Sequence, residues 1–470
     1  MTLKYLWFLY LADTKIIDNW VRNCYDRVMR RKIMAALVAW QNMAKRQPVL
    51  LLGARQVGKT YIAERFGAEH FASSLTVNFQ TDLDRLTRVF STDLEPKRIL
   101  DELGYLYGTT ITEDTLVIFD EIQLCQPALT SLKYFAERAA HQPVIATGSQ
   151  FGVAVHREPR YSFPVGKVHL LNLFPMDFEE FCWAVGREHW ADGIRASFKT
   201  STPFVAHREA MDLYRRYTMV GGLPAAVEAY VTSGDWQAVR AAQREVASLY
   251  TADMGLYLDD ATAAWTQAVW ASVPQQLARE TGNKFKLTAV RPGARAHTLE
   301  APFAYLEHAG LIYRHYQAAE VRAPLTKRID GTFFKVYLCD AGLLSAQLGV
   351  RPDAFLDEST YRLLSPSFRG ALAENFVKQT LETNQVTSMY WRNNNTAEVD
   401  FIITDDHLRI VPIEVKSADN IRSKSLGVFR DTYQPPLALR LSGAEFGLEN
   451  GLKSVPLYAA FCLTSESVTV

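Results

Sequence analysis

The chain has 470 residues, 48% hydrophobic and 22% charged, so it can bury two or three apolar cores and is not a disordered protein. Lysine and arginine (51) balance aspartate and glutamate (51), so the total charge advertises no nucleic-acid partner and any such contact has to be argued from a local patch. The five cysteines, Cys24, Cys125, Cys182, Cys339 and Cys462, lack C-x-x-C spacing, which argues against a zinc module or a disulfide framework and fits reduced thiols in a cytoplasmic protein.

In chain order, the apolar run from Tyr5 to Ala12 is too short to span a bilayer, and Asp13 and Lys15 follow it rather than a small-residue cleavage site; no integral membrane span is expected. Pro48 to Leu52 reads as a buried parallel strand and Tyr61 to Phe66 as a helix. Between them Gly53-Ala54-Arg55-Gln56-Val57-Gly58-Lys59-Thr60 fills every position of the G-x-x-x-x-G-K-[ST] phosphate-binding pattern. Glycines let backbone N–H groups curl around the β-phosphate of ATP, while Lys59 and the Thr60 hydroxyl reach the γ-phosphate and Mg²⁺.

About sixty residues on, Thr115 to Phe119 reads as a buried strand that delivers Asp120 and Glu121 to its C-terminal edge, the Walker B pattern. Asp120 would hold Mg²⁺ through water beside Thr60, and Glu121 would polarise the attacking water, which separates metal binding from base work. A third strand, Pro143 to Thr147, runs into Gly148-Ser149-Gln150 and places Thr147 or Ser149 to sense the γ-phosphate; a polar turn is the plain alternative.

Phe204 to Ala247 reads as helical, broken by Gly221-Gly222-Leu-Pro224, as a lid beside the nucleotide requires. Trp265 to Tyr316 follows as helix, basic turn, helix and strand, the pattern of a winged helix. Its Lys284, Lys286, Arg291 and Arg295, with Arg314 and Lys327 farther on, are candidates for phosphate contacts, or for surface and packing roles inside an ATPase. In the C-terminal part, Glu374 lies on a helix, Asp400 in Glu398-Val-Asp400-Phe, and Glu414 and Lys416 in Val411-Pro-Ile-Glu414-Val-Lys416. Strand alternation puts Glu414 and Lys416 on one face. Tyr390 and Trp391 read as core rather than as a base-stacking platform.

These residues, with Phe119-Asp-Glu-Ile-Gln123, Thr147-Gly-Ser-Gln150, Ser162-Phe-Pro-Val-Gly-Lys167, Leu173-Phe-Pro-Met-Asp-Phe-Glu-Glu-Phe181, Gly221-Gly-Leu-Pro224 and Lys335-Val-Tyr-Leu-Cys-Asp-Ala-Gly-Leu-Leu344, make the chain from about Arg31 onward resemble the prokaryotic AAA-type ATPases that carry a restriction-nuclease-like domain at the C-terminus. The resemblance implies an α/β fold: an N-terminal extension over 1–28, a P-loop ATPase core over 29–200, a helical lid over 201–255, a winged-helix-like region over 256–350 and a PD-(D/E)xK-like α/β domain over 360–470. In such a domain Asp400 and Glu414 bind Mg²⁺, Glu374 adds an oxygen ligand, and Lys416 steadies the attacking hydroxide or the scissile phosphate, so Asp400, Glu414 and Lys416 join Glu121 and Lys59 as catalytic candidates. Similar proteins end the Ser162–Lys167 segment in arginine. Here it is Lys167, which lacks the bidentate fork of an arginine finger and leaves Arg157 and Arg160 as rivals.

The expected activity is Mg²⁺-dependent ATP hydrolysis that controls a nuclease-like domain acting on DNA or RNA. The alternative is a nucleotide-regulated switch or scaffold whose nuclease-like domain is inactive and binds a protein partner, or another copy of the chain.

Overall fold

The computed structural model describes residues 30–149, 163–279, 284–327, 333–393, 397–417 and 424–469. The extension over 1–28 and the finger candidates Arg157 and Arg160 lie outside the described residues.

The N-terminal half is built on a five-stranded parallel sheet: β1 (Val49–Leu52), β2 (Ser73–Asn78), β3 (Thr115–Asp120), β4 (Val144–Gly148) and β5 (His169–Asn172), in the order β2-β3-β4-β1-β5. β1, β3 and β4 are buried along their whole length, which is why they read as unbroken apolar runs rather than alternating ones. Around them run α1 (Ile33–Gln41), α2 (Lys59–His70), α3 (Leu83–Ser91), α4 (Pro96–Tyr107) and α5 (Gln126–Arg138). Because every pairing is parallel, the loops after β1, β3 and β4 emerge at one edge of the sheet.

After β5, Asp177 and Glu180 form a capping box at the start of α6 (Phe178–Ala184), followed by α7 (Glu188–Thr200). The same acids anchor the chain ahead of α1. The Arg31 Nε lies 3.1 Å from Glu180 Oε2 and the Lys32 Nζ 2.5 Å from Asp177 Oδ2. Arg31 also donates 2.9 Å to the Val57 carbonyl and 2.5 Å to that of Phe174, so the acidic word after β5 braces the glycine-rich loop from behind.

The expected helical stretch is α8 (His207–Val220), α9 (Pro224–Ser233) and the long α10 (Trp236–Tyr257), with the break at Gly221–Leu223. Next come α11 (Asp260–Leu277), α12 (Ala296–His308) and the antiparallel pair β6 (Ile312–Tyr316) and β7 (Phe334–Leu338). Three short helices, α13 (Ala341–Gln347), α14 (Pro352–Leu356) and α15 (Glu358–Tyr361), lead to α16 (Pro366–Thr383). The last unit is a mixed six-stranded sheet ordered β12-β13-β11-β10-β9-β8, from β8 (Met389–Asn393), β9 (Ala397–Thr404), β10 (Ile410–Val415), β11 (Ala438–Ser442), β12 (Gly447–Glu449) and β13 (Leu452–Pro456), with α17 (Lys424–Tyr433) before β11.

One cluster of buried side chains runs from Leu37 and Val49 through Tyr217, Met254 and Leu306 to Phe376, Ile413 and Val468. Aromatic contacts carry it across the units: Phe178 lies edge-on to Tyr217 at 5.8 Å, and Tyr214 meets Phe376 at 4.9 Å. The helices after the ATPase core thus share one packed interior with both sheets. Asp340 ties the seam, accepting from Gly222 N at 2.6 Å and from Leu343 N at 2.8 Å.

Candidate functional site

The P-loop joins β1 to α2. A Cβ on Gly53 would stand 2.2 Å from the Leu173 carbonyl oxygen, and Gly58 has φ +94°, so both glycines are required by the backbone itself. Lys59, 6% exposed, donates to the carbonyls of Gly53 at 3.1 Å and Ala54 at 2.8 Å. Burial pulls its ammonium down to about 8, against the nearby charge of Glu121 and Asp120. Gln56 and Val57 complete the loop.

Asp120 is held by three donors: the Thr60 hydroxyl at 2.8 Å, the Thr147 hydroxyl at 2.5 Å and Asn78 Nδ2 at 2.9 Å. Direct contact between Thr60 and Asp120 is the pairing that Mg²⁺ coordination beside a P-loop needs, and the oxygen donors suit that cation. Thr147 is fully buried; its hydroxyl, which donates to Asp120, also lies 3.4 Å from the Glu121 amide. Glu121 sits in the left-handed region, φ +55°, and its carboxylate accepts from Gln123. Ser149 lines a cavity of about 20 Å³ with Arg55, Asp253, Tyr250 and Tyr257.

Asp253 and Tyr250 are the residues that sequence reasoning missed. Arg55 donates to Asp253 at 2.5 Å and to the Tyr257 hydroxyl at 3.2 Å, and the Tyr250 hydroxyl donates 2.9 Å to the Arg55 carbonyl. Burial raises the Asp253 carboxyl, Arg55 opposes this, and Glu121 adds to it. A cavity of about 20 Å³ has room for roughly one water, so α10 closes over Arg55. On the other flank the turn at Gly310 lies against Ala54, beside a cavity of about 300 Å³ that includes Glu307 and Arg314.

Four of the six cations expected to meet phosphates in the middle region have other partners. Arg314 pairs with Glu307, Arg291 lies 4.0 Å from the Trp265 ring, Lys284 3.7 Å from Phe333 and Lys327 4.6 Å from Tyr316. Lys167 pairs with Glu137 at 3.0 Å.

In the C-terminal sheet the antiparallel register of β9 and β10 pairs Phe401 with Ile413, bringing Asp400 beside Glu414, and α16 adds Glu374. Lys416 Nζ lies 2.5 Å from Glu414 Oε1, and Asp400 Oδ2 accepts from Val415 N at 2.8 Å. What sits among the carboxylates is a lysine from β7. Lys335, 1% exposed, places its Nζ 2.8 Å from Glu398 Oε1, 3.3 Å from Glu374 Oε2 and 4.0 Å from Asp400 Oδ1. The Tyr337 hydroxyl donates 2.7 Å to Glu374, so one face of β7 serves this cluster. Burial alone would lower Lys335, but Glu374, Tyr337, Glu398 and Asp400 outweigh it and hold the ammonium well above its ordinary value. Asp400 is pushed well above the carboxylate range by burial and by Glu374 and Glu414, with Lys335 opposing.

Glu374, Asp400 and Glu414, the expected metal ligands, are thus brought together with the Lys335 ammonium among them. Among the described residues no group of three or more His, Cys, Asp or Glu side chains is disposed to hold a metal ion. The ammonium of Lys335 supplies the positive charge that clustered carboxylates demand. The signal was present in the sequence: Phe334-Lys-Val-Tyr-Leu338 is a fully buried strand with a lysine in it. Tyr390 and Trp391 are buried, Trp391 edge-on to Phe429 at 5.1 Å, as core residues. Cys125, Cys182, Cys339 and Cys462 are buried free thiols.

A parallel sheet whose carboxyl edge carries a P-loop lysine and a paired Thr60 and Asp120 defines a P-loop nucleotide-binding protein. The comparisons refine this. Residues 45–182 match the family model described as AAA domain, 211–354 the domain of unknown function DUF8612, and 369–460 the domain of unknown function DUF4143. The chain thus carries an AAA-type P-loop ATPase domain. No curated protein matches it in sequence.

Among solved structures, it is similar to the Walker-type ATPase paby2304 of Pyrococcus abyssi (14% identity, 68% of this chain and 96% of that one, TM-score 0.41). It is also similar to the Aeropyrum pernix ORC2 protein in its ADPNP-ADP complexes (13%, 72% and 94%, 0.35) and to the Aeropyrum pernix ORC1 protein in complex with DNA (14%, 71% and 93%, 0.26). Likenesses this distant carry nothing about function. No helix among the described residues is long and apolar enough to cross a membrane.

Proposed function

We propose that this chain is a nucleotide-driven switch, in which binding and hydrolysis of Mg²⁺–ATP at the AAA-type site governs a PD-(D/E)xK-like C-terminal domain that is kept from metal-dependent cleavage by Lys335. The observation that carries the reading is the Lys335 ammonium between Glu374, Glu398 and Asp400. Lys59 and the P-loop amides would bind the phosphates, Thr60 and Asp120 the Mg²⁺, and Glu121 would orient the attacking water.

Coupling would run through α10 and the winged-helix-like unit α11–β7. Asp253 on α10 holds Arg55 of the P-loop, and Lys335 on β7 enters the acid cluster. Phosphates arriving at Arg55 compete with Asp253 for the same guanidinium, which gives nucleotide a differential interaction with the closed and open forms.

A second reading, nucleotide-triggered cleavage of DNA or RNA, is favoured by Glu414: its Oε2 is buried without a hydrogen-bond partner, and Lys416 stands at its other oxygen. Here Lys335 would withdraw and the three carboxylates would take Mg²⁺ in its place. The test is ATP turnover beside a Lys59→Ala control, with single- and double-stranded DNA and RNA followed on a gel. The switch reading expects Lys59-dependent turnover and intact nucleic acid. Cleavage that needs ATP and is lost in Asp400→Ala and Lys416→Ala selects the second reading, and metal-dependent cleavage without nucleotide refutes the first.

A further inference from the structure

Between α8 and the segment α14–α16 lies a crevice of about 700 Å³, larger than either cavity beside the P-loop. We propose that it binds the phosphodiester backbone of a single-stranded nucleic acid. The inference rests on the reading of residues 360–470 as a nuclease-like module and names its ligand.

Four arginines line the crevice, Arg208 and Arg215 from α8, Arg362 after α15 and Arg369 from α16, against two acids, Asp212 and Glu358. Their donors are unevenly used. The Arg369 Nε is buried without a hydrogen-bond partner, and the planar guanidinium that carries it is of a shape suited to phosphate. Glu358 carries two of the others, at 2.7 Å from Arg215 Nη1 and 3.2 Å from Arg362 Nε. Its carboxylate stands where one phosphate would stand, and a chain of phosphates would displace it with more charge per site.

The guanidiniums are also held in place. Arg215 and Arg369 lie 4.8 and 5.0 Å from the Tyr361 ring, and the Tyr361 hydroxyl donates 3.1 Å to the Ser417 carbonyl. Forks fixed on an aromatic ring lose less side-chain entropy on binding than free surface arginines.

Position argues for nucleic acid over any other polyanion. Ala373 and Ser417 line the crevice, and they are the chain neighbours of Glu374 and Lys416. Gly443, also in the wall, follows β11, which runs parallel to β10. The crevice therefore opens outside the carboxyl ends of two parallel strands, where open α/β sheets take their ligands, and it adjoins the acid cluster. Its size is that of a ligand pocket, which admits one strand, while a duplex would have to lie across the mouth.

The experiment is fluorescence anisotropy of the full chain with a labelled single-stranded DNA and an RNA of the same sequence, over a salt series, with a labelled polyglutamate peptide alongside. Wild type is expected to bind the strands with a steep salt dependence. In Arg208→Ala/Arg362→Ala, two exposed positions, the slope of log K against log salt should fall by about 1.4, near 0.7 per lost contact on a single strand. Glu358→Gln, which releases two guanidiniums, should bind more tightly than wild type, a gain that a merely structural role would not produce.

No binding by wild type, an unchanged slope in the double variant, or weaker binding by Glu358→Gln each overturns the proposal. Preference for polyglutamate overturns it in favour of an acidic protein partner. ATP turnover and cleavage are read on the same proteins, so a chain that binds strands without switching sinks the proposed function alone. One that switches without binding them sinks this inference alone.

Discussion

Replacing Lys335 by methionine, close in length but uncharged, removes the cation from a buried cluster and leaves Glu374, Glu398 and Asp400 facing one another. Removing one partner of a buried ion pair costs about 3–5 kcal/mol, and with three carboxylates 2.8 to 4.0 Å from the lost ammonium the upper part of that range applies. The loss depends on pH with a definite sign. Lys335 is held well above 10.5, so its contribution in wild type is constant at and below neutrality. Asp400, already held well above its unfolded value in wild type, loses in the variant the ammonium that opposed this. Such a group costs little when protonated, near pH 4, and progressively more as pH rises through its folded value.

Thermal unfolding of wild type and Lys335→Met at about pH 5 and about pH 8, with and without Mg²⁺, reads both features. The gap in midpoint should widen with pH. Mg²⁺ should narrow it, stabilising the variant by about 2.7 kcal/mol when present at 100 times its Kd, while leaving the wild-type midpoint unmoved. If the variant does not fold, Lys335→Met/Asp400→Asn, which removes a carboxylate charge as well, should restore folding. A small, pH-independent effect, or equal Mg²⁺ stabilisation of wild type, would refute the idea that Lys335 stands in the place of a metal.

Three further outcomes are expected. The Lys59 ammonium, lowered to about 8, is raised by bound phosphates, so ATP affinity should hold up to about pH 8 and then fall by at most about tenfold per pH unit; titration with a fluorescent ATP analogue measures it, and a flat profile to about pH 10 contradicts the assignment. Burial lifts Asp340 from 3.8 to about 6 despite its backbone donors, so its share of stability is full below 3.8 and lost as pH rises through 6, roughly 3 kcal/mol at 1.36 per unit. The difference between wild type and Asp340→Asn across that window should show this slope, and parallel curves would exclude it. Asp253→Asn removes a negative charge beside the P-loop and frees Arg55, so nucleotide should bind about fivefold tighter, roughly 1 kcal/mol; weaker binding in the same titration would mean that Asp253 positions Arg55 for the phosphates instead of withholding it.

The nucleotide site was legible in the sequence because its parts are local. Eight consecutive residues form the loop, the apolar run before it can only be a doubly covered strand, and Asp120 and Glu121 end another such strand. The helical break at Gly221–Leu223 was legible for the same reason: turn chemistry is written in neighbouring residues. Glu374, Asp400, Glu414 and Lys416 were identified as a set, and the fold brings them together.

Tertiary structure decided which partners those groups meet. Arg55 finds Asp253 from 198 positions away, and Glu374 meets Lys335 across 39. Pairings of that separation leave no periodicity in the chain, and a lone lysine in an apolar strand does not say what it faces. Lys284, Arg291, Arg314 and Lys327, candidates for phosphate contacts, settled on aromatic rings and an acid, while the arginines of the crevice come from α8, the α15 turn and α16, which only packing makes adjacent. The sequence by itself therefore determined that the chain binds a nucleotide through a P-loop. Where the second cluster of carboxylates would find its positive charge was left to the fold, because burial compels clustered carboxylates to take a cation without specifying which one.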